Sequence, residues 1–513
     1  MIFNSRTSQS SFASWGMTLF LSVIASLILF HHLNLPFYLD QDTQRIFFAS
    51  QPLARILAHS PDNRNPNFIY ILLHFATHWS IHESRARFPF ALFAVLAIVI
   101  FHRAALSVST PLQACLATAI FMFNPAFLSN SRAVSWVPVF LLFSILFLWM
   151  LGEIMDGHLF PQSLFFLGSI VGLEFTSYSA YFLLSVGAVY AGWKWRERRA
   201  RAVLWVMSLL LIGLILGTSS LRGLMQAIHY EPSERSLALS NPSLIWGNLD
   251  FAGYWNELRR MFFPSPLSSL LALMFVFGLC RAWRVRHRNH SGLWLFSALT
   301  PLIGFFLISL MRVKIYYFQF AMPGVALVIS GGALEAVARL RSFLGRGRNL
   351  AASSMSLVLV AALLALDHKS RDVYQPSPRA DIPRIIKSIN QDRSRRVYFA
   401  PNNLYSLFLY YGAKNPVSAW KSCQIGVWPA IECRYDGWIV RGFVERGQVP
   451  PNWDLRCNQD LRAAQKKHSF WWIETHDFYS QGLRAFLKKH CRMANSGGQM
   501  HALYYCPRRP RVF

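Results

Sequence analysis

Long apolar blocks recur along the first two thirds of this chain, and they limit its fold more than any other feature. Most approach the roughly 20 residues that a helix needs to cross the hydrocarbon core of a bilayer. One short block could be a buried helix of a water-soluble protein, but ten in series, in a chain that is 53% hydrophobic, indicate a polytopic helical membrane protein. The blocks are Trp15–Phe30, Phe88–Phe101, Leu112–Phe127, Val134–Leu151, Tyr178–Trp193, Val203–Gly217, Pro266–Cys280, Leu293–Leu310, Tyr317–Val337 and Ala351–Leu366.

The positive charge of the chain is concentrated where the chain leaves apolar blocks. Three clusters hold much of the net charge of +27. Short loops rich in Lys and Arg stay on the cytoplasmic side of a membrane. If Leu159–Phe175 is an eleventh span and the N-terminus is cytoplasmic, all three clusters fall inside, so we expect membrane lipids rather than nucleic acid as partners. The clusters are Lys194 to Arg201, Arg281 to Arg288, and Arg339 to Arg348.

The last of the roughly eleven predicted spans ends near Leu366, and the chain divides there into two domains. We expect a membrane domain over residues 1–366, whose first external loop is 33–87, and an extracytoplasmic domain over residues 367–513. In the second domain, short strands alternate with helices, as in a small α/β fold. The expected location is the bacterial cytoplasmic (inner) membrane, with the N-terminus in the cytoplasm and the last domain in the periplasm. The clearest tail elements are strands at Arg396–Ala400, Phe470–Glu474 and Leu503–Cys506, and a helix at Gln481–Lys489.

Five of the seven cysteines lie in the expected external domain, where disulfides can persist. Their spacing does not form a zinc pattern, although metal binding is the alternative. We predict one or two disulfides, with Cys423–Cys433 and Cys491–Cys506 as the candidate pairs.

The first external loop carries two carboxylates directly after the first apolar block. Asp40 and Asp42 are placed to accept a proton from a hydroxyl group or to hold a divalent cation. A solvated loop start is the alternative. The same loop contains the apolar, aromatic segment Phe68–Trp79, which fits a helix lying in the membrane interface.

The order of these pieces resembles the GT-C superfamily of glycosyltransferases, in the branch of the protein O-mannosyltransferases and the bacterial lipid A aminoarabinose transferase. That branch has an acidic pair after its first span, a proline turn, an aromatic helix with a terminal His, and an Arg-x-Pro entry to its second span. Here these are Asp40 with its neighbours, Asn65-Pro66, Tyr70 to His74, and Arg87-Phe88-Pro89. Looser matches are Asn124-Pro125 through Arg132 to Trp136, Thr176-Ser177-Tyr178, Lys314 through Pro323, and the tail from Asp381 to Gly412.

The resemblance implies an inverting transfer of a sugar from a polyprenyl-phosphate-linked donor to a hydroxyl of a lipid, glycan or protein acceptor. Asp40 and Asp42 would supply the catalytic acids. The expected contacts to the donor phosphate are Arg132, Arg312 and Lys314, each of which could instead reach lipid headgroups. The expected substrate contacts are Asn65, Tyr70, His74, Arg87 and Glu174, although His74 could simply cap its helix and Glu174 could be a residue at the end of a span.

The chain departs from the family pattern at its acids. Gln41 stands where the second acid of the pair is usual, and Asn130 where the second patch has Glu. A site that needs three carboxylates around a metal is therefore weakened, whereas a single-base mechanism needs only one. Two other classes of function remain open: a transporter or flippase of a lipid-linked substrate, and an inactive relative that serves as a scaffold. Internal repeats typical of transporters are not visible in the sequence.

Overall fold

The computed structural model divides the chain into two compact units. Unit 1 comprises Met1–Leu33, Asn63–Leu72 and Arg87–Val373, and unit 2 comprises Asn34–Asp62, Leu73–Ala86 and Tyr374–Phe513. The expected domain boundary at 366/367 stays a prediction. The structure describes residues 7–31, 33, 45–46, 49, 52–58, 67–77, 82–158, 160–174, 176–177, 179–194, 201–208, 251–263, 268–285, 291–311 and 315–344, and in the tail 385, 387–388, 391, 396–399, 417–419, 433–435, 438–440, 462, 465–466, 469–475, 481–497 and 501–508.

Helices account for most of the described residues up to position 344. The helices are α1 Thr7–Phe30, α2 Leu53–Ala58, α3 Phe68–Thr77, α4 Glu83–Val108, α5 Pro111–Met122, α6 Pro125–Ser131, α7 Val137–Asp156, α8 Gln162–Glu174, α9 Ala180–Trp193, α10 Phe251–Phe262, α11 Ser268–Val285, α12 Ser291–Met311 and α13 Met322–Leu344, with a 3-10 helix at Ile315–Ala321 before α13.

Local sequence signals explain where several of these helices begin and end. Thr110 caps α5, because its Oγ1 accepts a hydrogen bond from the backbone N–H of Gln113, and Pro111 follows at the first helical position. Helix α7 ends at Gly157, whose φ of 103° is the left-handed conformation that glycine adopts at low cost.

Helix α1 has one face packed inside unit 1 and another face that is apolar and exposed. Leu21, Ala25 and Leu29 recur every four residues and are buried, whereas Leu19 and Leu27 are 66% and 70% exposed. Water would oppose such an exposed face, but lipid tails would not. The pattern is that of a helix at the edge of a membrane bundle.

Three described helices are long and apolar enough to cross a membrane, or four if one bent pair is counted as a span. They include Glu83–Val108 and Val137–Asp156, where the sequence predicted the second and fourth spans, and Phe318–Arg339. Shorter apolar helices include Gln162–Leu173 and Ala180–Trp193. The predicted total of about eleven stays a prediction, because Ala351–Leu366 and most of Val203–Gly217 lie outside the described residues.

Two of the predicted spans differ from straight helices. The block Leu112–Phe127 forms α5 and α6, which are bent by 61°. The bend follows from Asn124 and Pro125, which end one helix and cap the next. The block Tyr317–Val337 opens in the 3-10 helix, and α13 begins only at Met322.

Helices α11 and α13 approach each other with their backbones nearly in contact. A Cβ atom on Gly278 would clash with the carbonyl oxygen of Val328, and one on Gly332 would clash with the carbonyl oxygen of Met274. Only glycine fits at these two positions, which allows the close packing that is common between membrane helices.

Unit 2 contains a mixed five-stranded sheet in the order β2-β1-β5-β7-β6. Strand β1 is parallel to β2 and β5, and β7 is antiparallel to β5 and β6. Strands therefore occur at the three tail positions where the sequence predicts them, and so does the helix. The elements are β1 Arg396–Phe399, β2 Val417–Ala419, β3 Cys433–Tyr435, β4 Trp438–Val440, β5 Phe470–Thr475, α14 Gln481–His490, β6 Arg492–Gly497 and β7 His501–Cys506.

A disulfide joins Cys491, between α14 and β6, to Cys506 at the end of β7. The Cα atoms of the two cysteines are 4.3 Å apart. Of the other candidate pair, Cys433 lies in β3 and Cys423 lies outside the described residues, so that pairing stays a prediction.

Candidate active site

Two buried arginines of unit 1 bind the main chain at the end of α1. Arg87, near the start of α4, is 2% exposed and donates from Nη1 to the carbonyl oxygen of Leu33 at 3.2 Å. Arg132, directly after α6, is 6% exposed and donates from Nη2 to the carbonyl oxygen of Ile28 at 2.7 Å. Cations at a helix C-terminus interact favourably with its last carbonyl groups and its dipole. We call the end of α1 with Arg87 and Arg132 the arginine rim.

The aromatic side chains of Phe30 and Phe88 hold α1 against α4 beside Arg87. The two rings are stacked, with their centroids 5.4 Å apart. The Arg-x-Pro entry singled out in the sequence is thus a packing feature as well as a charge. It fixes the start of α4 against the end of α1.

The segment that follows Arg132 is a buried loop. Ala133, Val134, Ser135 and Trp136 are all less than 9% exposed. Ser135 Oγ donates to Asn130 Oδ1 at 3.2 Å, which closes the loop on α6. Non-helical backbone is tolerated near a membrane only where protein buries it or water reaches it. Arg132 is therefore presented by a packed loop.

Asn124 joins the bent α6 to α10. Its Oδ1 accepts hydrogen bonds from the amides of Ala126 and Phe127, at 2.9 and 3.2 Å, and so caps α6. Its Nδ2 donates to the carbonyl oxygen of Met261, near the end of α10, at 2.8 Å. One amide side chain therefore positions the short helix before Arg132 and ties it to a second helix.

The 3-10 helix adds a buried polar residue that the sequence analysis did not single out. Gln319 is 4% exposed, and its buried Oε1 accepts no hydrogen bond from the described residues. The next residue, Phe320, packs edge-on against Phe140 of α7, and Phe140 packs in the same way against Trp136. The 3-10 helix thus packs against α7, which begins directly after the Arg132 loop. The available signal was a single amide within the aromatic run from Tyr316 to Phe320.

Tyr70 and His74 lie on α3, the helix that the sequence predicted in the first loop. Tyr70 is buried, and Phe68 of the same helix makes edge-on contacts with Phe93 and Phe143 in unit 1. In unit 2, His74 Nδ1 lies 2.7 Å from the carbonyl oxygen of Ala49. His74 is therefore held by the loop's own backbone.

The remaining predicted site residues are not placed by the structure. Glu174 is the last residue of α8, and only its backbone is described. Asp40, Asp42, Asn65, Arg312 and Lys314 lie outside the described residues. Within the described part of the chain, no group of three His, Cys, Asp or Glu side chains could hold a metal ion.

No family model and no curated protein matches the chain by sequence. Solved structures do match it. The crystal structure of ArnT from Cupriavidus metallidurans bound to undecaprenyl phosphate matches with a TM-score of 0.52 and 12% identity, over 96% of this chain and 98% of that one. The apo form of ArnT matches with a TM-score of 0.51, 13% identity and the same coverage. This chain has the GT-C fold. The fold that the resemblance to GT-C enzymes predicts is thereby confirmed.

Within this GT-C fold, the structure brings together two of the predicted residues, Arg87 and Arg132, around the end of α1. It also shows that Asn124 and Gln319 are buried polar residues. The arrangement can present two guanidinium groups to an anion.

Proposed function

We propose that the chain is an integral-membrane inverting glycosyltransferase. It would move a sugar from a polyprenyl-phosphate-linked donor to a hydroxyl of a lipid, glycan or protein acceptor on the extracytoplasmic face. The observation that carries the proposal is the pair of buried guanidinium groups at the arginine rim. The pair occurs in a fold shared with ArnT, of which one crystal structure is bound to undecaprenyl phosphate.

Guanidinium groups are well suited to a polyprenyl phosphate. Arginine keeps its charge at all relevant pH values and presents a planar set of donors that matches phosphate oxygens. Burial strengthens the interaction, because the attraction between guanidinium and phosphate grows when water is excluded and the local dielectric constant falls. The main-chain contacts to Ile28 and Leu33 orient both groups before a ligand arrives.

The proposed reaction is a direct displacement at the anomeric carbon. The oxygen of the acceptor hydroxyl attacks that carbon from the face opposite the phosphate, and the hydroxyl proton passes to the carboxylate of Asp40. The bond from the anomeric carbon to the phosphate oxygen breaks, and its electron pair leaves with the polyprenyl phosphate. Arg132 and Arg87 stabilise the charge that develops on this leaving group. Configuration at the anomeric carbon is inverted.

The other residues of the region would bind and orient the sugar. Gln319 offers a buried acceptor oxygen to a sugar hydroxyl, and buried acceptors are normally satisfied. Tyr70 and Asn65 would contact the sugar from the first loop, and Glu174 from the end of α8. Arg312 and Lys314 would add positive charge beside the phosphate.

The full-length protein, purified and reconstituted in vesicles, tests the proposal with lipid-linked donors. Undecaprenyl-phosphate-linked sugars labelled in the sugar would be supplied with extracted membrane glycolipids as acceptors, and transfer would be compared between wild type, Asp40→Asn and Asp42→Asn. Loss of the general base should lower transfer by about 10²–10⁴-fold. Asp156→Asn, at the end of α7, is the matched control and should leave transfer unchanged. Full transfer by both loop variants would overturn the proposed mechanism.

The side of the membrane on which the first loop lies is tested separately. Alkaline phosphatase, which is active only outside the cytoplasm, and a green fluorescent protein would be fused after residues 60, 196 and 370. We expect phosphatase activity at 60 and 370 and fluorescence at 196. Fluorescence at 60 would place Asp40 on the wrong side for an extracytoplasmic donor.

A further inference from the structure

A cavity of about 380 Å³ lies in unit 1 where α4 ends and α5 and α12 begin. Helices α11 and α13 complete its lining. Arg87 and Val108 are 21 positions apart on α4, which at ~1.5 Å per residue is about 32 Å. This is close to the thickness of the bilayer hydrocarbon core, roughly 30 Å. The cavity therefore lies at the membrane face opposite the arginine rim.

One arginine of the cavity has no acidic partner among the described residues. Glu335 on α13 lies 3.9 Å from Arg284 and 3.2 Å from Arg339, so one carboxylate serves both of these exposed cations. Arg281, one turn before Arg284 on α11, lines the cavity and forms no ion pair within the described part of the chain. Within that part of the chain, its charge is therefore not offset by a carboxylate.

The missing side chain of Gly331 opens the space that Arg281 and Gln113 share. A Cβ atom at Gly331 would lie 3.0 Å from Gln113 Nε2 and 3.8 Å from Arg281 Cδ. Gln113 Nε2 already donates to the carbonyl oxygen of Leu327 at 3.2 Å, which holds its amide at the cavity wall. Ser109 and Thr110 add hydroxyl groups to the same lining.

The rest of the lining is mostly apolar, and α11 also carries an exposed apolar face. Trp294 and Leu327 form part of the wall. On α11, Val276 and Trp283 are 55% and 56% exposed, on either side of Arg281 in sequence. A tryptophan at this level is typical of the boundary between headgroups and acyl chains.

We propose that this cavity binds the headgroup of an anionic phospholipid, with Arg281 and Gln113 contacting the phosphate and the acyl chains lying along the apolar face of α11. Basic pockets between membrane helices bind such headgroups. Free phosphate is also an anion but would leave the apolar wall uncovered. The inference concerns lipid binding alone and does not rest on the proposed transfer reaction.

The test is lipid binding to the purified full-length protein, counted by native mass spectrometry in a neutral detergent. The probes are dioleoylphosphatidylglycerol, dioleoylphosphatidylcholine and glycerol phosphate. Arg281→Gln should weaken phosphatidylglycerol binding about tenfold, as expected for a lost charge-assisted hydrogen bond. Arg284→Gln, with the same change one turn away, should bind as wild type does. Phosphatidylcholine should bind weakly to all three proteins.

A second pair of variants keeps the test decisive if Arg281→Gln does not fold. Ser109→Asp places a negative charge in the lining and should lower phosphatidylglycerol binding, whereas Ser109→Asn should not. Equal binding of phosphatidylglycerol by wild type, Arg281→Gln and Ser109→Asp would overturn the proposal. Equal losses in Arg281→Gln and Arg284→Gln would also overturn it, and glycerol phosphate that displaces the lipid at equal concentration would identify a free-phosphate site instead.

Discussion

Arg132 reaches the main-chain oxygen of Ile28 at 2.7 Å, across 104 positions of sequence. The contact joins a loop between α6 and α7 to the last turn of α1. A guanidinium group has five N–H donors, and this hydrogen bond uses one of them. The contact thus fixes the direction of the side chain at the end of α1.

Substitution of Arg132 should impair transfer more than it impairs folding. We expect Arg132→Gln to lower the transfer rate by about 10²–10³-fold, because one donor to a developing anion is removed. Arg132→Lys keeps the charge and should retain part of the rate. Arg103→Gln, on α4 away from the rim, is the control and should behave as wild type. Sugar transfer in vesicles measures all three, and equal rates for Arg132→Gln and wild type would remove Arg132 from the site.

Asn124 should contribute to stability through two separable contacts. Asn124→Ala removes the cap of α6 and the donor to Met261. The free energy of unfolding should fall by about 1–2 kcal/mol for the lost cap and ~1 kcal/mol for the lost hydrogen bond. Asn124→Ser keeps a capping oxygen and loses the donor to Met261. Heat stability of the detergent-solubilised protein, followed by size-exclusion chromatography, should rank wild type above Ser and Ser above Ala. Equal stability of the Ser and Ala variants would show that the cap contributes little.

Close packing of α11 and α13 should make one methyl group costly. Gly332→Ala should destabilise the protein by about 1–3 kcal/mol, because the added Cβ meets the backbone of Met274 rather than a side chain that can move. Gly168→Ala on α8 is the control, since nothing lies within 4 Å of the added atom. It should be neutral or stabilising by up to ~1 kcal/mol. Similar thermal stability of the two variants would contradict the packing described here.

The Cys491–Cys506 bridge should protect the end of the tail. The bridge closes a segment of 15 positions, and its removal by Cys491→Ser should cost about 3 kcal/mol in the chain-entropy description. Trypsin should then cut faster at Lys488, Lys489 and Arg492. Cys280→Ser, which changes a free cysteine of α11, serves as the control. Unchanged cleavage in Cys491→Ser would mean that the sheet holds this segment without the bridge.

The sequence is a good guide where one physical requirement dominates. The length of the apolar stretch alone identifies α4 and α7, because a helix that crosses a bilayer must be apolar over its whole membrane-spanning length. The short aromatic and β-branched run Phe470–Glu474 predicts β5, in which Phe470 and Trp472 are buried and Trp471 between them is less so.

Contacts across long sequence separations were not predictable in this way. The sequence shows Asn124-Pro125 inside an apolar block, but only the structure shows a 61° bend and a partner at Met261. Arg87 and Arg132 could be identified as candidate charges, yet their shared location at the end of α1 depends on how three helices pack. Gln319 was missed because a single amide within an aromatic run has no periodic pattern.

Gly278 and Gly332 leave no room for any side chain between α11 and α13. Relatives of this chain should accordingly retain glycine at both positions through long divergence, even where the sugar and the acceptor have changed. Invariant glycines at these positions would reflect the close packing of the two helices and not catalysis. A search that identifies catalytic residues by conservation alone would therefore select them incorrectly.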